Sequence, residues 1–297
     1  MTGKNSSRLV LVSLLLLLVF PATVSAEHPA QAIMGLYPAD YANRDGIEPY
    51  IVSILALNEV AHDRNLGEVK QFLRWYLSRL NDHDKNGLRG TIYTYAIQNG
   101  QELSSNKYDS VDGYAGMILH LLHEYAVRTG DVQFLAENWQ KIEDIAALIP
   151  RLQAKDGLTI AMPGHEVKYF MDNCECYSGI MAYIAMRNLV GKGPSEEYAQ
   201  AALALKKAIF AQLFDSRNQI FSWAVQDGHV SASTWQTFYP DALAQLFPLY
   251  HDLLIGKPEL RKRLWRTFNE QYQDKIATFP VEQRIIYELT SAKMGGI

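Results

Sequence analysis

The sequence predicts an all-α fold built from a repeated helical hairpin. Apolar residues recur at spacings of three and four along most of the chain, and no long run shows strand alternation alone. An acidic residue also recurs at a nearly constant interval. The acids are Glu48, Asp112, Glu175 and Asp241, separated by 64, 63 and 66 residues. Such a period is typical of repeat architectures, in which each hairpin buries its apolar face against its neighbours.

The chain begins with a segment typical of a secretory signal peptide. Two basic residues precede an apolar run from Leu9 to Phe20, and the small-x-small pattern Val24-Ser25-Ala26 follows. This run of twelve residues is shorter than the roughly 20 that span a bilayer. We therefore predict that residues 1–26 are removed, that the protein is periplasmic or secreted without a membrane span, and that residues 27–297 form a single domain.

The remaining chain divides into nine predicted helices joined by turns and longer loops. The helices span residues 47–64, 67–80, 110–129, 132–150, 173–190, 195–214, 240–255, 258–273 and 280–293. Three connectors between helix pairs begin at Asn86, Asp156 and Asn218. Each opens with turn residues and continues into a β-like stretch, and two contain the Asn-Gly or Asp-Gly pair of a tight hairpin. The predicted unit is therefore helix, short turn, helix and β-bearing loop.

Composition narrows the functional classes. The sequence is 48% hydrophobic and 20% charged, which suits one globular domain with a large core. Its net charge of −4 and the lack of a basic stripe argue against a nucleic-acid partner. Sequence patterns for phosphate loops, serine hydrolases and zinc peptidases are missing. We therefore predict an enzyme or binding protein that needs no cofactor.

Two local motifs are interpreted as structural. Asp82 to Gly87 resembles the first half of a calcium-binding loop, but Tyr93 stands where the bidentate Glu would be. We predict a turn there and no metal. Cys174 and Cys176 are the only cysteines, and a disulfide between residues two apart would be strained. We predict that both thiols are buried and free.

Three strings in the sequence resemble a known superfamily. "YDSVDGYAGM", "FMDNCECYSGI" and "FYPDALAQLFP", with the alternation of helical hairpins and β-bearing loops, resemble the six-hairpin glycosidases. These are (α/α) toroids that include glucoamylases and unsaturated glucuronyl hydrolases. The resemblance covers the chain from about Ile47 to Tyr287. It implies that the first helix of each hairpin lines the inside, with the substrate cleft at the end where the β-bearing loops gather.

The resemblance has one departure. A full toroid has twelve helices, whereas nine are predicted here. Either the ring is open or some short helices are hidden in the sequence. A fifth acid, Glu282, follows only 41 residues after Asp241 and without a β-bearing loop, so we give it little weight as a member of the repeat.

The candidate catalytic residues are acids near predicted helix starts. Asp109 and Asp172 each stand three residues before another acid, which is close to a capping box. Capping alone explains either pair, but it does not explain an acid at the same phase in all four hairpins. Because a helix N-terminus lowers the pKa of a carboxylate that caps it, we predict ionised roles for Asp109 and Asp172.

Glycoside hydrolysis needs one protonated and one ionised carboxyl group. Asp112, Glu175 and Asp241 are predicted to face one another one turn into their helices, where like charges raise one another's pKa. We favour Asp112 as the acid, with Asp172 or Glu175 as its ionised partner, and the sequence leaves both pairings open.

Aromatic and polar residues near the same ends are candidates for sugar binding, because flat rings stack on sugar faces. The predicted substrate-binding residues are Glu48, Tyr50, Tyr93, Tyr95, Tyr108, Tyr114, Asn173, Tyr177, Trp223, Trp235 and Tyr239.

The sequence therefore predicts an exported glycoside hydrolase acting on a polysaccharide or oligosaccharide. One alternative is a non-catalytic glycan-binding or polysaccharide-export accessory protein, for which aromatic residues would suffice. Another is a lyase or epimerase acting on uronic acids. That chemistry would need basic, Tyr or His groups to neutralise a sugar carboxylate, whereas the aligned positions are acidic.

Overall fold

A computed structural model describes residues 35–37, 46–99 and 101–295. The predicted signal peptide and the first residues of the predicted domain, apart from 35–37, lie outside the described residues. The described part is mainly helical, with a few short strands, which confirms the all-α class. None of its helices combines the length and apolarity needed to cross a membrane.

The helices follow the predicted order. They are α1 (Pro49–Ala61), α2 (Leu66–Ser78), α3 (Asp112–Thr129), α4 (Val132–Glu137), α5 (Trp139–Ala146), α6 (Leu148–Leu152), α7 (Phe170–Leu189), α8 (Glu196–Gln212), α9 (Phe247–Tyr250), α10 (Pro258–Tyr272) and α11 (Val281–Met294). A π-helical turn, Phe238–Ala242, precedes α9, and a 3₁₀ turn, Gln273–Thr278, follows α10.

The inner helices form a closed ring. Within the described residues, α1 packs against α3, α3 against α7, α7 against α9, α9 against α11, and α11 returns to α1. Helices α2, α8 and α10 are the outer members of their hairpins, and α4 to α6 share that position in the second hairpin. In the described part of the chain, α11 closes the ring against α1, and the ring contains five inner helices where a full toroid has six. Several short helices were hidden in the sequence.

Two predicted helices are wrong in detail. Residues 132–150 form three short helices, because the segment turns at Asn138, whose side-chain amide donates to the Phe134 carbonyl. Residues 240–255 form the π-helical turn and α9 rather than one continuous helix. Pro240 and Pro248 lack the N–H that a helix interior needs, and Tyr239 is extended, as residues before proline often are.

Short antiparallel strands gather the connectors at one end of the ring. The strands are β1 (Gly46–Ile47), β2 (Tyr95–Gln98), β3 (Gln101–Ser104), β4 (Lys168–Tyr169), β5 (Phe214–Asp215), β6 (Ile220–Phe221), β7 (Ala224–Gln226) and β8 (His229–Ser231). They pair in the orders β1-β2-β3, β4-β7-β8 and β5-β6. Because β1 runs into α1 and β4 into α7, two of these sheets hold loops beside inner-helix N-termini.

The turn between β7 and β8 confirms the tight hairpin that the Asp-Gly pair predicts. Asp227 and Gly228 both have positive φ, at 50° and 77°, as the type I′ turn requires.

Helices α3 and α7 are in backbone contact. A β-carbon on Gly116 would lie 2.5 Å from the Glu175 carbonyl carbon, and one on Gly179 would lie 2.6 Å from the Gly116 Cα. Only glycine fits at such distances. This close approach brings the acidic residues at the N-terminal ends of the two helices together.

A buried pair of histidines lies further along the ring interior. The rings of His120 and His251 are 5.5 Å apart, and the Ser178 hydroxyl is 2.7 Å from His251 Nδ1. Burial lowers the pKa of His120 to about 4. Burial, followed by nearby His120 and Lys293, lowers the pKa of His251 well below its usual value. Both imidazoles are therefore neutral in the folded protein near neutral pH.

This pair predicts a specific pH dependence of stability. The unfolded chain binds a proton on His120 below about pH 6.5, whereas the folded chain binds it only near pH 4. His120 therefore destabilises the fold as pH falls through this window. We expect His120→Phe to gain on the order of 1–3 kcal/mol relative to wild type between pH 6.5 and 4. Urea unfolding of both proteins across this range measures the difference, and a constant difference would contradict a neutral buried His120.

Candidate active site

A cavity of about 470 Å³ opens at the end of the ring where the β-bearing loops meet. Residues from α1, α7, α11 and the π-helical turn line it, together with the loop before α3. Its acidic residues are Glu48, Asp109, Asp172 and Glu282, and its tyrosines are Tyr50, Tyr108, Tyr114 and Tyr239. Lys107 is the basic residue among the described lining. The volume lies in the range of small-molecule sites, roughly 300–1,000 Å³.

Asp172 lies in the first turn of α7, and its predicted role as a helix cap is wrong. The helix begins at Phe170, directly after β4, and residue 169 at the cap position makes no side-chain capping bond. The Oδ2 atom of Asp172 is buried without a hydrogen-bond partner. Burial, with added repulsion from Asp112 and Glu175, raises the pKa of Asp172 well above its usual value. The prediction of a lowered pKa therefore fails, because burial outweighs the helix dipole.

Asp109 also has a different position from the one predicted. Helix α3 begins at Asp112, and the Ser110 hydroxyl accepts the Gly113 amide at 3.0 Å. Ser110 therefore caps the first turn of α3, while Asp109 lies in the preceding loop and lines the cavity.

Asp112 lies beneath the cavity and is fully buried. Its carboxylate accepts hydrogen bonds from Ser110 Oγ at 2.9 Å, the Gly113 amide at 2.9 Å and Thr159 Oγ1 at 2.6 Å. Burial raises the pKa of Asp112, while these donors lower it. The residue we favoured as the acid is therefore not among those that line the cavity, and its donors suit a carboxylate.

Glu175 is also fully buried beneath the cavity. The Tyr50 hydroxyl donates to its Oε1 atom at 2.6 Å, and its Oε2 atom has no partner. Burial raises the pKa of Glu175 well above its usual value. Tyr50 itself lines the cavity and stacks on Tyr114, with ring centroids 5.6 Å apart. Tyr50 therefore connects the cavity wall to the buried acid.

Asp241 and Glu282 do not lie where the sequence predicted. Asp241 accepts the Thr234 amide and hydroxyl at 2.9–3.0 Å, so it holds the third β-bearing loop rather than lining the cavity. Glu282, which the irregular spacing led us to discount, lies in the first turn of α11 and does line the cavity. The sequence did contain a signal for Glu282, because this residue lies at the start of an inner helix, as the other acids of the repeat do.

The predicted substrate-binding residues divide into two groups. Those that line the cavity are Glu48, Tyr50, Tyr108, Tyr114 and Tyr239. Tyr239 is 60% exposed, so its ring is available for stacking.

The second group consists of residues that pack elsewhere. Tyr93 stacks on Tyr108 behind the cavity wall, and Tyr95 contacts Trp75 edge-on. Asn173 bonds the backbone of Thr159 and Tyr169.

Tyr177, Trp223 and Trp235 likewise do not line the cavity. Tyr177 lies under the Lys206 ammonium group of α8. Trp223 packs on the core, and the Trp235 carbonyl accepts the Tyr272 hydroxyl. Among the described lining, Lys107 and Thr94 have no distinguishing signal in the sequence.

The predicted structural motifs have clear roles. Asp84 accepts hydrogen bonds from two backbone amides and from Thr91 and Tyr108, so its carboxylate organises the predicted turn. Cys174 and Cys176 are buried and free, which confirms that prediction. The described residues contain no group of three or more His, Cys, Asp or Glu side chains arranged to hold a metal ion.

Comparison with solved structures identifies the architecture. The chain is similar to a rhamnosidase from Klebsiella oxytoca with rhamnose bound, with a TM-score of 0.58 and 14% identity, over 93% of this chain and 53% of the rhamnosidase. It is also similar to a GH76 α-mannanase from Bacteroides thetaiotaomicron, with a TM-score of 0.52 and 9% identity, over 90% of this chain and 76% of the mannanase.

A sugar epimerase from a ruminal bacterium shares the architecture, with a TM-score of 0.52 and 7% identity, over 84% of this chain and 72% of the epimerase. No protein-family model and no curated protein sequence matches the chain. The chain spans about half the length of the rhamnosidase. The neighbours are six-hairpin glycosidase-like (α/α) toroids, so the fold implied by the resemblance is confirmed.

Proposed function

We propose that the protein is a glycoside hydrolase in which Asp172 is the general acid. One observation carries the proposal: Asp172 is a carboxyl group that lines the cavity, and burial together with Asp112 and Glu175 raises its pKa well above the usual value. A general acid must hold its proton at the operating pH and meet the leaving group, and the raised pKa of Asp172 and its place in the cavity lining support this role.

The reaction also needs an ionised carboxylate on another wall of the cavity. Glu48, Asp109 and Glu282 occupy such positions, from the start of α1, the loop before α3 and the start of α11. Asp172 gives its proton to the glycosidic oxygen as the bond to the anomeric carbon breaks. The ionised carboxylate either takes a proton from the attacking water or attacks the anomeric carbon itself.

The charge of the cavity supports a neutral or basic sugar. Among the lining residues that the structure describes, Glu48, Asp109 and Glu282 supply three carboxyl groups, and Lys107 supplies one ammonium group. A uronic acid would bring a further negative charge into this field, at a Coulombic cost. This disfavours the lyase and epimerase alternatives on uronic acids. Tyr239 at the exposed rim offers a ring on which a sugar can stack.

A substrate panel tests the proposal. The protein lacking residues 1–26 is incubated with neutral, amino and uronic-acid polysaccharides, and both reducing ends and the absorbance of unsaturated products are measured. We expect reducing ends from a neutral or amino polysaccharide without unsaturated products. Unsaturated products would favour the lyase, whereas binding without any product would favour a glycan-binding protein.

Export is part of the proposal and rests on the N-terminal sequence pattern. The protein recovered from the periplasm or medium should begin at Glu27. N-terminal sequencing that finds Met1 in a membrane fraction would contradict export by a cleaved signal.

A further inference from the structure

Three carboxyl groups meet around one glycine at the start of α3. A β-carbon on Gly113 would lie 2.9 Å from Glu175 Oε2, 2.9 Å from Ser110 Oγ and 3.2 Å from Asp172 Cγ. Asp112 directly precedes this glycine in the chain, and its charge raises the pKa of Asp172. We call Asp112, Asp172 and Glu175 the carboxyl cluster. The missing side chain of Gly113 leaves the space in which the cluster forms.

The hydrogen bonds of the cluster favour particular positions for its protons. Both oxygens of Asp112 accept hydrogen bonds from protein donors. In contrast, Asp172 Oδ2 and Glu175 Oε2 are buried and face no donor. A buried, charged carboxylate oxygen without a donor is unfavourable, and protonation lowers that cost by removing the charge. The arrangement therefore fits an ionised Asp112 and, at low pH, protons on both Asp172 and Glu175.

We propose that Glu175, oriented by Tyr50, keeps the reacting proton on Asp172. This rests on the proposed role of Asp172 as general acid. Glu175 is a positioning residue in this scheme, because it acts on the substrate only through Asp172.

The hydrogen bond from Tyr50 decides the order in which the cluster loses protons. The phenol donates to Glu175 Oε1 and so lowers the pKa of Glu175 relative to its value from burial alone. A negative charge on Glu175 in turn raises the pKa of Asp172. As pH rises, Glu175 therefore releases its proton first, and its charge holds the proton on Asp172.

Groups on neighbouring elements act on Asp172 in the same direction or lie across the cavity. Asp112 from α3 repels its charged form. Tyr239 from the π-helical turn and Tyr114 from α3 face it as neutral phenols whose pKa values are raised, chiefly by burial. The described cavity lining also contains the acidic residues Glu48, Asp109 and Glu282 and the basic residue Lys107.

Carbon-13 NMR tests the proposal without any substrate. Protein labelled at the aspartate side-chain carboxyl carbon is titrated with pH, and the Asp172 signal is assigned as the one that disappears in Asp172→Asn. We expect Glu175→Gln and Tyr50→Phe each to lower the Asp172 midpoint by about one pH unit or more. Glu197→Gln, at an exposed site on α8, is the matched control and should leave the midpoint unchanged. An unchanged or higher midpoint in Glu175→Gln would overturn the proposal.

The pH profile of kcat/KM is the second readout. If the proposed function holds, both variants should move the basic limb to lower pH by the same amount as the NMR midpoint. A lower rate at every pH with an unmoved limb would indicate a merely structural role and contradict the proposal. If wild type hydrolyses no glycan, the proposed function fails, yet the NMR titration still decides the coupling. Tyr50→Phe tests the coupling should Glu175→Gln not fold.

Discussion

Asp172→Asn is expected to abolish hydrolysis while leaving the protein about as stable as wild type. An asparagine cannot donate a proton to the glycosidic oxygen, and loss of a general acid costs roughly 10²–10⁴ in rate. Stability should survive because Asp172 caps no helix and its raised pKa favours the uncharged acid, which the amide matches in shape. Initial rates on the substrate found in the panel, with thermal melting of both proteins, measure the two effects.

The matched control is Asp227→Asn in the β7–β8 turn. It makes the same chemical change at an exposed site whose positive φ asparagine also tolerates, so rate and melting temperature should both stay at wild-type values. Should Asp172→Asn hydrolyse the substrate at the wild-type rate, Asp172 is not the acid. The proton donor would then have to be sought among Glu48, Asp109 and Glu282.

Gly179→Ala is expected to give the largest loss of stability. Its new β-carbon would lie 2.6 Å from the Gly116 Cα and 2.7 Å from the Gly116 carbonyl oxygen, so α3 and α7 must move apart. Overpacking of this kind costs about 1–3 kcal/mol or more. Because the same contact brings Asp112 and Glu175 together, activity should fall as well. Urea unfolding gives the free energy, and kcat/KM gives the loss of activity.

Gly67→Ala is the control for this change. Gly67 lies in the first turn of the outer helix α2, where a β-carbon would meet no atom within 4 Å. Alanine is the better helix former, so this variant should be neutral or slightly stabilised. A Gly179→Ala protein with wild-type stability and activity would mean that α3 and α7 do not need backbone contact.

The repeat of helical hairpins was predictable because it depends on local pattern. Apolar spacing and a regular acid period are properties of neighbouring residues, and they predict the hairpins, the β-bearing loops and the ends at which acids gather. The Asp-Gly turn between β7 and β8 was predictable for the same reason. Glu48 and Asp172 were found among the cavity residues by this means.

The protonation states of the acids were not predictable in this way. Asp172 has the local sequence of a helix cap, but burial and the neighbouring Asp112 and Glu175 set its pKa. Ser110 rather than Asp109 accepts the helix amide, and a local pattern does not rank two candidates one residue apart. The Asp112 carboxylate accepts a hydrogen bond from Thr159, a residue 47 positions away. Such contacts depend on how distant segments meet.

The contact between α11 and α1 has a consequence for the order of folding. Tyr50 on α1 and Glu282 on α11 line one cavity although more than two hundred residues separate them in the chain. Contacts of such high sequence separation carry a loop-closure entropy that slows their formation. During synthesis the earlier hairpins can pack as they emerge, but the cavity has one wall missing until α11 docks. We therefore expect the cavity to be completed late in folding.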